Sequence, residues 1–470
     1  MSSEDPPLEL LKSIVNLYSA KKLKIALSHT EKLIKQFPNS ATTLNIAGAI
    51  NAELSQFEIA IEYYKKAVHI RPDYYEAFYN MGVAQQNENY LKAALKSYSE
   101  AIKIKPNYAD SFNNIGLIQH IQGYFKEAIK SFSQAIEIQP NFASAYNNIA
   151  NSLIEIGEFE SASDNYSAAI KINPNFADAK SNFIKLLTFY TPKKKKLNLI
   201  VSINSEIRKI KIENNASKTI SNQDVIDLLI KSNRHLKRII KGLSYQETQT
   251  YRNNSISLNC NRNMSIFKEF DIIPEFCFGC YKVQVEPSSL IDLIKLFVVF
   301  DQLDLDDNNT RKCCVELRSN ISGFYKGLIY CNGLKQANNI AQHLDSIIKY
   351  RIGPDVPIIV KRGCSEYPLS YPGYIEINNH GNQEMNFNED WKTIEETYDK
   401  KNPQNLNKKR RVSLSGLNIS DAIIILKWVD YAKGIKDPSL NLFAQEKVYF
   451  QEIYDSAKRR VNALQRKKLI

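Results

Sequence analysis

At 470 residues the chain is long enough for two or three domains, and its 43% hydrophobic content is that of a globular protein rather than a disordered one. Charge is shared unevenly: residues 1–190 hold 18 basic and 19 acidic residues, and the remainder holds 44 and 31. The net charge of +12 therefore belongs to the later part, which points there to an acidic partner, a polyanion or nucleic acid, with a generally lysine-rich composition as the plain alternative. No apolar run approaches the roughly 20 residues a membrane helix needs. The opening residues after Met1 are acidic and lack an apolar signal core. All seven cysteines follow residue 259, an odd number without secretory context, so the expectation is a cytoplasmic protein with reduced thiols.

One period organises the first part. Pro38, Pro72, Pro106, Pro140 and Pro174 stand 34 residues apart. Small residues recur at fixed offsets from them: Ala60, Ala94, Ala128 and Ala162, then Ala67, Ala101, Ala135 and Ala169. Between the two series lies a ring: Tyr64, Tyr98, Phe132, Tyr166. Earlier in each repeat come Gly48, Gly82, Gly116 and Ala150, where a neighbouring helix must approach closely. Each unit reads as a helix, a tight turn and a second helix that proline ends. One such pair cannot bury its apolar face, so units stack and share a core. The first repeat departs, with Thr30 at the ring position and Leu33 at the second alanine position, as suits a terminal, solvent-facing repeat.

This pattern resembles the tetratricopeptide repeat (TPR) family over residues 7–176, with a capping helix at 177–190. The resemblance implies an all-α solenoid whose first helices line a concave groove. In that groove the sixth helical position reads Asn80, Asn114, Asn148 and Asn182, and the fifth reads Tyr79, Asn113, Asn147 and Ser181. A carboxamide both donates and accepts, so such a column can grip the backbone of an extended peptide with little regard for its side chains. The column is similar to the asparagine ladder of O-linked N-acetylglucosamine transferases, although Ile46 interrupts it in the second repeat. Gln86, Asn87, His120 and Asn151 also face the groove in this reading. The alternative is asparagine that merely solvates helices.

Thr191-Pro192 and Lys193–Lys196 open a basic linker, followed by helical patterns at 197–212 and 222–241, with Asn222 or Asp224 as caps for the second. From 277 to about 370 the pattern changes to strand 281–286, helix 288–303, strands 312–318 and 324–331, helix 334–350 and strand 357–364. The order βαββαβ predicts a ferredoxin-like α+β sandwich, its first strand between the third and fourth and its second beside the third. That topology would gather six cysteines at one end of the sheet. Cys277 and Cys280 form a two-residue knuckle, and with Cys313, Cys331 and Cys364 they are the candidate ligands for zinc or an iron–sulfur cluster. Buried apolar thiols are the alternative. Lys326-Gly327-Leu328-Ile329-Tyr330 faintly resembles the third-strand motif of RNA-recognition domains, but the other rings of that motif are missing.

Residues 371–412 read as an irregular stretch rich in Tyr and Asn. Two basic helices at 419–433 and 443–467 close the chain, the first capped by Asn418 or Ser420, the last carrying Lys458, Arg459, Arg460, Arg466, Lys467 and Lys468. No glycine-rich phosphate loop, nucleophile elbow or metalloprotease motif is present, and no cofactor is predicted. The expectation is thus a multidomain protein: a solenoid at 1–190, a basic linker with helices at 191–270, an α+β domain at 271–370, the irregular stretch, and flanking helices at 413–470. Its function would be a scaffold that holds an extended polypeptide. The alternatives are a tethered enzyme or metal protein acting through the cysteine-rich domain, and RNA binding by the basic half.

Overall fold

The computed structural model describes residues 5–193, 198–211, 219–240, 243–252, 258–318, 321–364, 366–377, 384–402, 411–442 and 447–468. The chain divides into two compact units, one up to residue 176 and one from residue 177 on.

The first unit is five helical hairpins: α1 Leu8–Ser19 with α2 Leu23–Gln36, α3 Ala41–Glu53 with α4 Phe57–Ile70, α5 Tyr75–Asn87 with α6 Leu91–Ile104, α7 Ala109–Ile121 with α8 Phe125–Ile138, and α9 Ala143–Ile156 with α10 Phe159–Ile172. Each second helix is amphipathic and stops just before the periodic proline, which has no N–H to continue it. Inside three of the five hairpins a ring fills the space that a glycine leaves. A Cβ on Gly48 would stand 2.5 Å from Tyr64, on Gly82 2.6 Å from Tyr98, and on Gly116 2.7 Å from Phe132. These rings and Tyr166 are at most 2% exposed. Thr30, expected to face solvent, is instead fully buried; its Oγ1 donates to the Ala26 carbonyl at 2.7 Å, so the hydroxyl stays satisfied where a ring stands in the other repeats.

The second unit holds helices α11 Ala177–Leu186, α12 Leu199–Ile207 and α13 Asn222–Leu236, strand β1 Gln249–Arg252, helices α14 Cys260–Phe270 and α15 Glu275–Gly279, and strand β2 Cys280–Val285. There follow α16 Leu290–Gln302, β3 Arg311–Val315, β4 Tyr325–Asn332, α17 Leu334–Arg351, β5 Ile358–Arg362, α18 Asp390–Lys401, α19 Ile419–Ile435 and α20 Gln451–Lys468. The five strands form one antiparallel sheet in the order β1-β3-β4-β2-β5. The four strands read from the sequence take their expected neighbours, and β1 adds an edge beside β3 that the sequence did not announce. Helices α16 and α17 pack on one face, where a Cβ on Gly327 would strike Leu296 of α16 at 2.3 Å.

Helix α19 is the spine of this unit, with nearly every residue buried. Its polar side chains are anchored to loops. Lys427 donates to the Tyr245 and Glu247 carbonyls, Trp428 Nε1 to the Thr248 carbonyl at 2.9 Å, and Tyr431 OH to the Glu316 carbonyl at 2.6 Å. At its N-terminus Asn418 and Asp421 form a reciprocal capping box, and Asp421 also receives Arg252 at 2.8 Å. Arg252 reaches Asp301 as well, and burial there is tolerated because two carboxylates answer one guanidinium. For α13 the cap is Ser221 rather than Asn222, with Asp224 as its capping-box partner.

Three sequence expectations change. The stretch 371–412 is not wholly irregular: α18 lies within it, held to α14 by Arg262, which bonds Glu395 at 2.7 Å and Asp399 at 2.6 Å. Tyr374, in that stretch, and Tyr367, just before it, are fully buried and pack with Ile266, Ile273 and Trp391 as core. Arg460 of the last helix is no surface cation: it is 1% exposed and donates to the Ile321 and Gly323 carbonyls at 2.6 and 2.8 Å. His380, Lys194–Lys196, Lys408–Arg410 and residues 443–446 lie outside the described residues, as do the side chains of Lys467 and Lys468. Among the described residues no helix is long and apolar enough to cross a membrane.

This packing sets the cost of two substitutions. Gly116→Ala forces the Phe132 ring aside, a cost of roughly 1–3 kcal/mol, which exceeds the ~0.5–1 kcal/mol that alanine returns in a helix. Denaturant unfolding of the full chain should show a net loss, partly recovered by adding Phe132→Leu. Asp421→Ala leaves the buried Arg252 guanidinium with Asp301 alone and removes a cap, and should cost roughly 3–5 kcal/mol by the same measurement. The double change Arg252→Met with Asp421→Ala should cost less than Asp421→Ala alone.

Candidate functional site

In the first unit the first helices of successive hairpins approach each other (α1 with α3, α3 with α5, α7 with α9) more closely than the second helices do. Their shared side is therefore the tighter wall of the solenoid, and the asparagine column lies on it. Asn80 Nδ2 donates to Asn45 Oδ1 at 3.2 Å, Asn114 Nδ2 to Tyr79 OH at 3.3 Å, and Asn148 Nδ2 to Asn113 Oδ1 at 3.1 Å. Each contact spans 35 residues, from the sixth position of one repeat to the fifth of the repeat before. The column is thus a set of rungs between repeats as well as a lining.

That finding divides the carboxamides' capacity. Asn113 and Asn147 are 7% and 6% exposed and donate to the adjacent Asn114 and Asn148, so they act from beneath. Asn80, Asn114 and Asn148 are half-buried and carry the outward-facing groups. A carboxamide offers two N–H donors and two lone pairs. Asn80 and Asn148 each commit one N–H to the preceding repeat, which leaves the second available. Asn114 donates to both Tyr79 OH and Tyr98 OH at 3.3 Å, so its remaining offer is on Oδ1. Asn182 falls in the second unit. Ile46, the gap in the column, coincides with Asn45 supplying the acceptor one position earlier.

The sequence reading missed an aromatic cluster beside the column. Tyr75, Tyr79, Tyr98 and Tyr108 meet edge-on or tilted at centroid distances of 5.1–5.7 Å, and Lys105 Nζ lies 4.2 Å from the Tyr75 ring centre. Tyr75 stands where the other repeats have alanine, and Tyr108 shares its position with Tyr74 and Phe142, so only the combination of the two is particular to this place. Burial raises the Tyr79 phenol above its ordinary value, so it is a neutral donor and acceptor at pH 7. Of the other groove residues, Gln86 accepts from Tyr98 OH at 3.0 Å and Asn151 from Tyr166 OH at 2.6 Å. Asn87 donates back to the Val83 carbonyl at 2.9 Å. His120 Nδ1 lies 2.9 Å from Ser152 Oγ, and burial lowers its pKa, so the ring is neutral at pH 7.

In the second unit the sheet register separates the cysteines. Cys277 stands on α15, Cys280 opens β2, Cys331 lies opposite Tyr281, and Cys364 follows β5, so these four share one end. Cys313 and Cys314 instead face Gly327 and Lys326, four and five residues along β4 from Cys331. At about 3.3 Å per residue that is more than 13 Å away. The six sulfurs therefore do not gather. Among the described residues no group of three or more His, Cys, Asp or Glu side chains is placed to hold a metal ion. Cys277 donates a hydrogen bond to Cys364, which lowers the Cys364 thiol and raises its own.

Comparison with known proteins gives a consistent result for the first unit. A family model described as "TPR repeat" matches residues 48–89, 87–123 and 118–155, and one described as "Tetratricopeptide repeat" matches residues 143–176. No curated protein matches. Among solved structures, MamA is 26% identical, covering 34% of this chain and 93% of its own, with a TM-score of 0.32. YrrB, titled a TPR protein with an unusual peptide-binding site, is 22% identical, covering 38% and 91%, with a TM-score of 0.32. TTC0263, a thermophilic TPR protein of Thermus thermophilus, is 22% identical, covering 38% and 97%, with a TM-score of 0.33. The family matches fall on helical hairpins whose glycine, alanine and ring positions interlock as described above, and on that ground residues 48–176 are a run of tetratricopeptide repeats.

Proposed function

We propose that the first unit is a protein-interaction scaffold that holds an extended polypeptide along Asn80, Asn114 and Asn148. The observation that carries this reading is the constant register of the carboxamides. Repeats stacked in one geometry present the same polar group at the same depth three times over, a spacing suited to the regular amides of a peptide backbone. Spare N–H and carbonyl capacity at these three positions is what a client would engage. The tyrosines at 75, 79 and 108 would add apolar area beside the backbone grip. For the second unit, the strand order and the two helices on one face support a ferredoxin-like sandwich extended by an edge strand. Seven free thiols support a reducing, cytoplasmic setting.

A peptide selected on the full chain, followed by fluorescence anisotropy, tests the groove. Asn114→Ala with Asn148→Ala removes several hydrogen bonds at roughly 0.5–1.5 kcal/mol each, so affinity should fall about 10- to 100-fold. N-methylation of the peptide backbone should do the same, whereas exchange of its side chains should matter less. Because both asparagines also bridge repeats, the variant should lose about 1–2 kcal/mol of stability. Capture that survives both the substitutions and the methylation would refute backbone recognition by this column.

A further inference from the structure

The face of the sheet opposite α16 and α17 is rich in lysine. Side chains alternate along a strand, and the register places Lys282 and Gln284 of β2, Lys312 and Cys314 of β3, Lys326 and Leu328 of β4, and Lys361 of β5 on this side. Lys282 lies directly opposite Lys361. Like charges in that position repel across about 5 Å and destabilise a sheet, so the pair demands an explanation. A cavity of about 780 Å³ opens over this face, lined by the four lysines and walled by apolar groups that include Leu317, Ile321, Pro368 and Ile375.

The charges in the cavity do not balance. Glu316 is the carboxylate in its lining among the described residues, and it is already committed: Lys326 Nζ bonds it at 2.9 Å and Arg318 Nε at 2.9 Å. Although burial works to raise it, those hydrogen bonds hold Glu316 down to about 2. Glu286 stands outside the lining and takes a hydrogen bond from Gln284. The remaining cations meet only neutral groups. Lys282 Nζ donates to the Gly363 carbonyl at 2.7 Å and Lys312 Nζ to Gln249 Oε1 at 3.1 Å. Among the described residues Lys361 has no hydrogen-bond or ion-pair partner. Burial, followed by repulsion from Lys361, pushes Lys282 down to about 8, and burial with repulsion from Lys326 lowers Lys361. Half-buried ammonium groups so arranged are held at a cost that an anion would reverse.

We propose that this cavity binds a small organic phosphate carrying at least two negative charges, its anionic groups met by Lys282, Lys312 and Lys361 and its carbon skeleton by the apolar wall. The spread of the three lysines decides for several charges over one. Lys312 and Lys361 are on strands three spacings apart, roughly 14 Å at the backbone, and Lys312 Nζ leans toward Gln249 of the outer strand β1, away from Lys361, so two anionic groups suit the pair better than one. Volume decides for a small molecule: the cavity lies in the range of small-ligand sites, about 300–1,000 Å³. A single-stranded nucleic acid would need a run of exposed rings for its bases, whereas the strand positions here alternate lysine with Leu328, Gln284 and Cys314. This assignment does not depend on the peptide groove.

Calorimetry and thermal unfolding of the full chain with inorganic pyrophosphate and with ATP, at low and high salt, test it. Both anions should bind saturably and raise the unfolding temperature, and binding should weaken as salt rises. Lys361→Met and Lys282→Met should each weaken binding at least 10-fold. Without ligand, Lys361→Met should be no less stable than the wild type, because it removes repulsion. A purely structural lysine would give the opposite pattern, lower stability with unchanged affinity. If Lys361→Met fails to fold, Lys312→Gln carries the same affinity test. No saturable response to either anion, or variants that bind as the wild type does, would overturn the proposal. So would a single-stranded RNA 20-mer that binds through these lysines more tightly than ATP.

Discussion

The first unit depends on one steric fit, an aromatic ring seated where a glycine has no Cβ. The contact lies inside three of the five hairpins, between α3 and α4, α5 and α6, and α7 and α8, and its closest approach varies by only 0.2 Å across the three. It therefore fixes how near the two helices stand, and a fixed hairpin repeated in tandem stacks at a fixed offset. The carboxamide rungs express that offset. They join positions 35 residues apart at 3.1–3.3 Å in every instance, although one acceptor is a phenol and two are amides. Polar contacts so uniform, formed by chemically different partners, are a consequence of the packing rather than its cause.

The second unit solves a different problem. Helix α19 is apolar on all sides and also carries Lys427, Asp430 and Asp421, which must be buried with it. Each is answered from a different part of the chain: Lys427 by carbonyls near 245, Asp421 by Arg252, and Asp430 by the backbone N–H groups of Tyr449 and Phe450 at 2.9 and 2.8 Å. Asp437, just beyond the helix, holds the Leu290 N–H at the start of α16 and the Tyr325 hydroxyl of β4. Buried polar groups are tolerable only when paired, and here the pairing also specifies which loops close over the helix. The close approach at Gly434, where a Cβ would lie 2.5 Å from Ala457, lets α20 pack against the same spine.

What the sequence revealed follows from how each element encodes itself. The solenoid was legible because five repeats supply the same message, and strands β2 to β5 because their alternation runs uninterrupted between helices. Helices α14 and α18 were not: both are polar, and α18 owes its place to the Arg262 pairings with Glu395 and Asp399, contacts of 133 and 137 residues in sequence that no local pattern announces. Edge strand β1 is four residues long, too short for alternation to declare itself. The cysteine gathering failed for a related reason. Topology alone put the start of the second strand beside the end of the third, but register, which topology leaves open, slid Cys313 and Cys314 along β4. The rungs and the tyrosine cluster were invisible because they are relations between repeats.

The basic character of the second unit resolves into two kinds of cation once partners are known. Arg252 and Arg460 are buried and Arg262 is half-buried, and all three are bonded to carboxylates or carbonyls at 3.0 Å or less. Guanidinium groups, with fixed planar donors, are suited to that structural use. The lysines of the open sheet face are arranged on the opposite principle. Their ammonium groups converge on one cavity, two of them directly opposed across paired strands, and one carboxylate already shared between two partners is what the lining supplies against them. Net charge alone, which was all the composition offered, weighs both kinds equally. A cation that closes its contacts within the fold contributes to stability and has little left for a ligand, whereas a cation held near its like is destabilising until an anion arrives. The distinction between holding the fold and serving a partner thus rests on which charges are already answered: Arg252, Arg262 and Arg460 are answered, while Lys282, Lys312 and Lys361 meet no carboxylate.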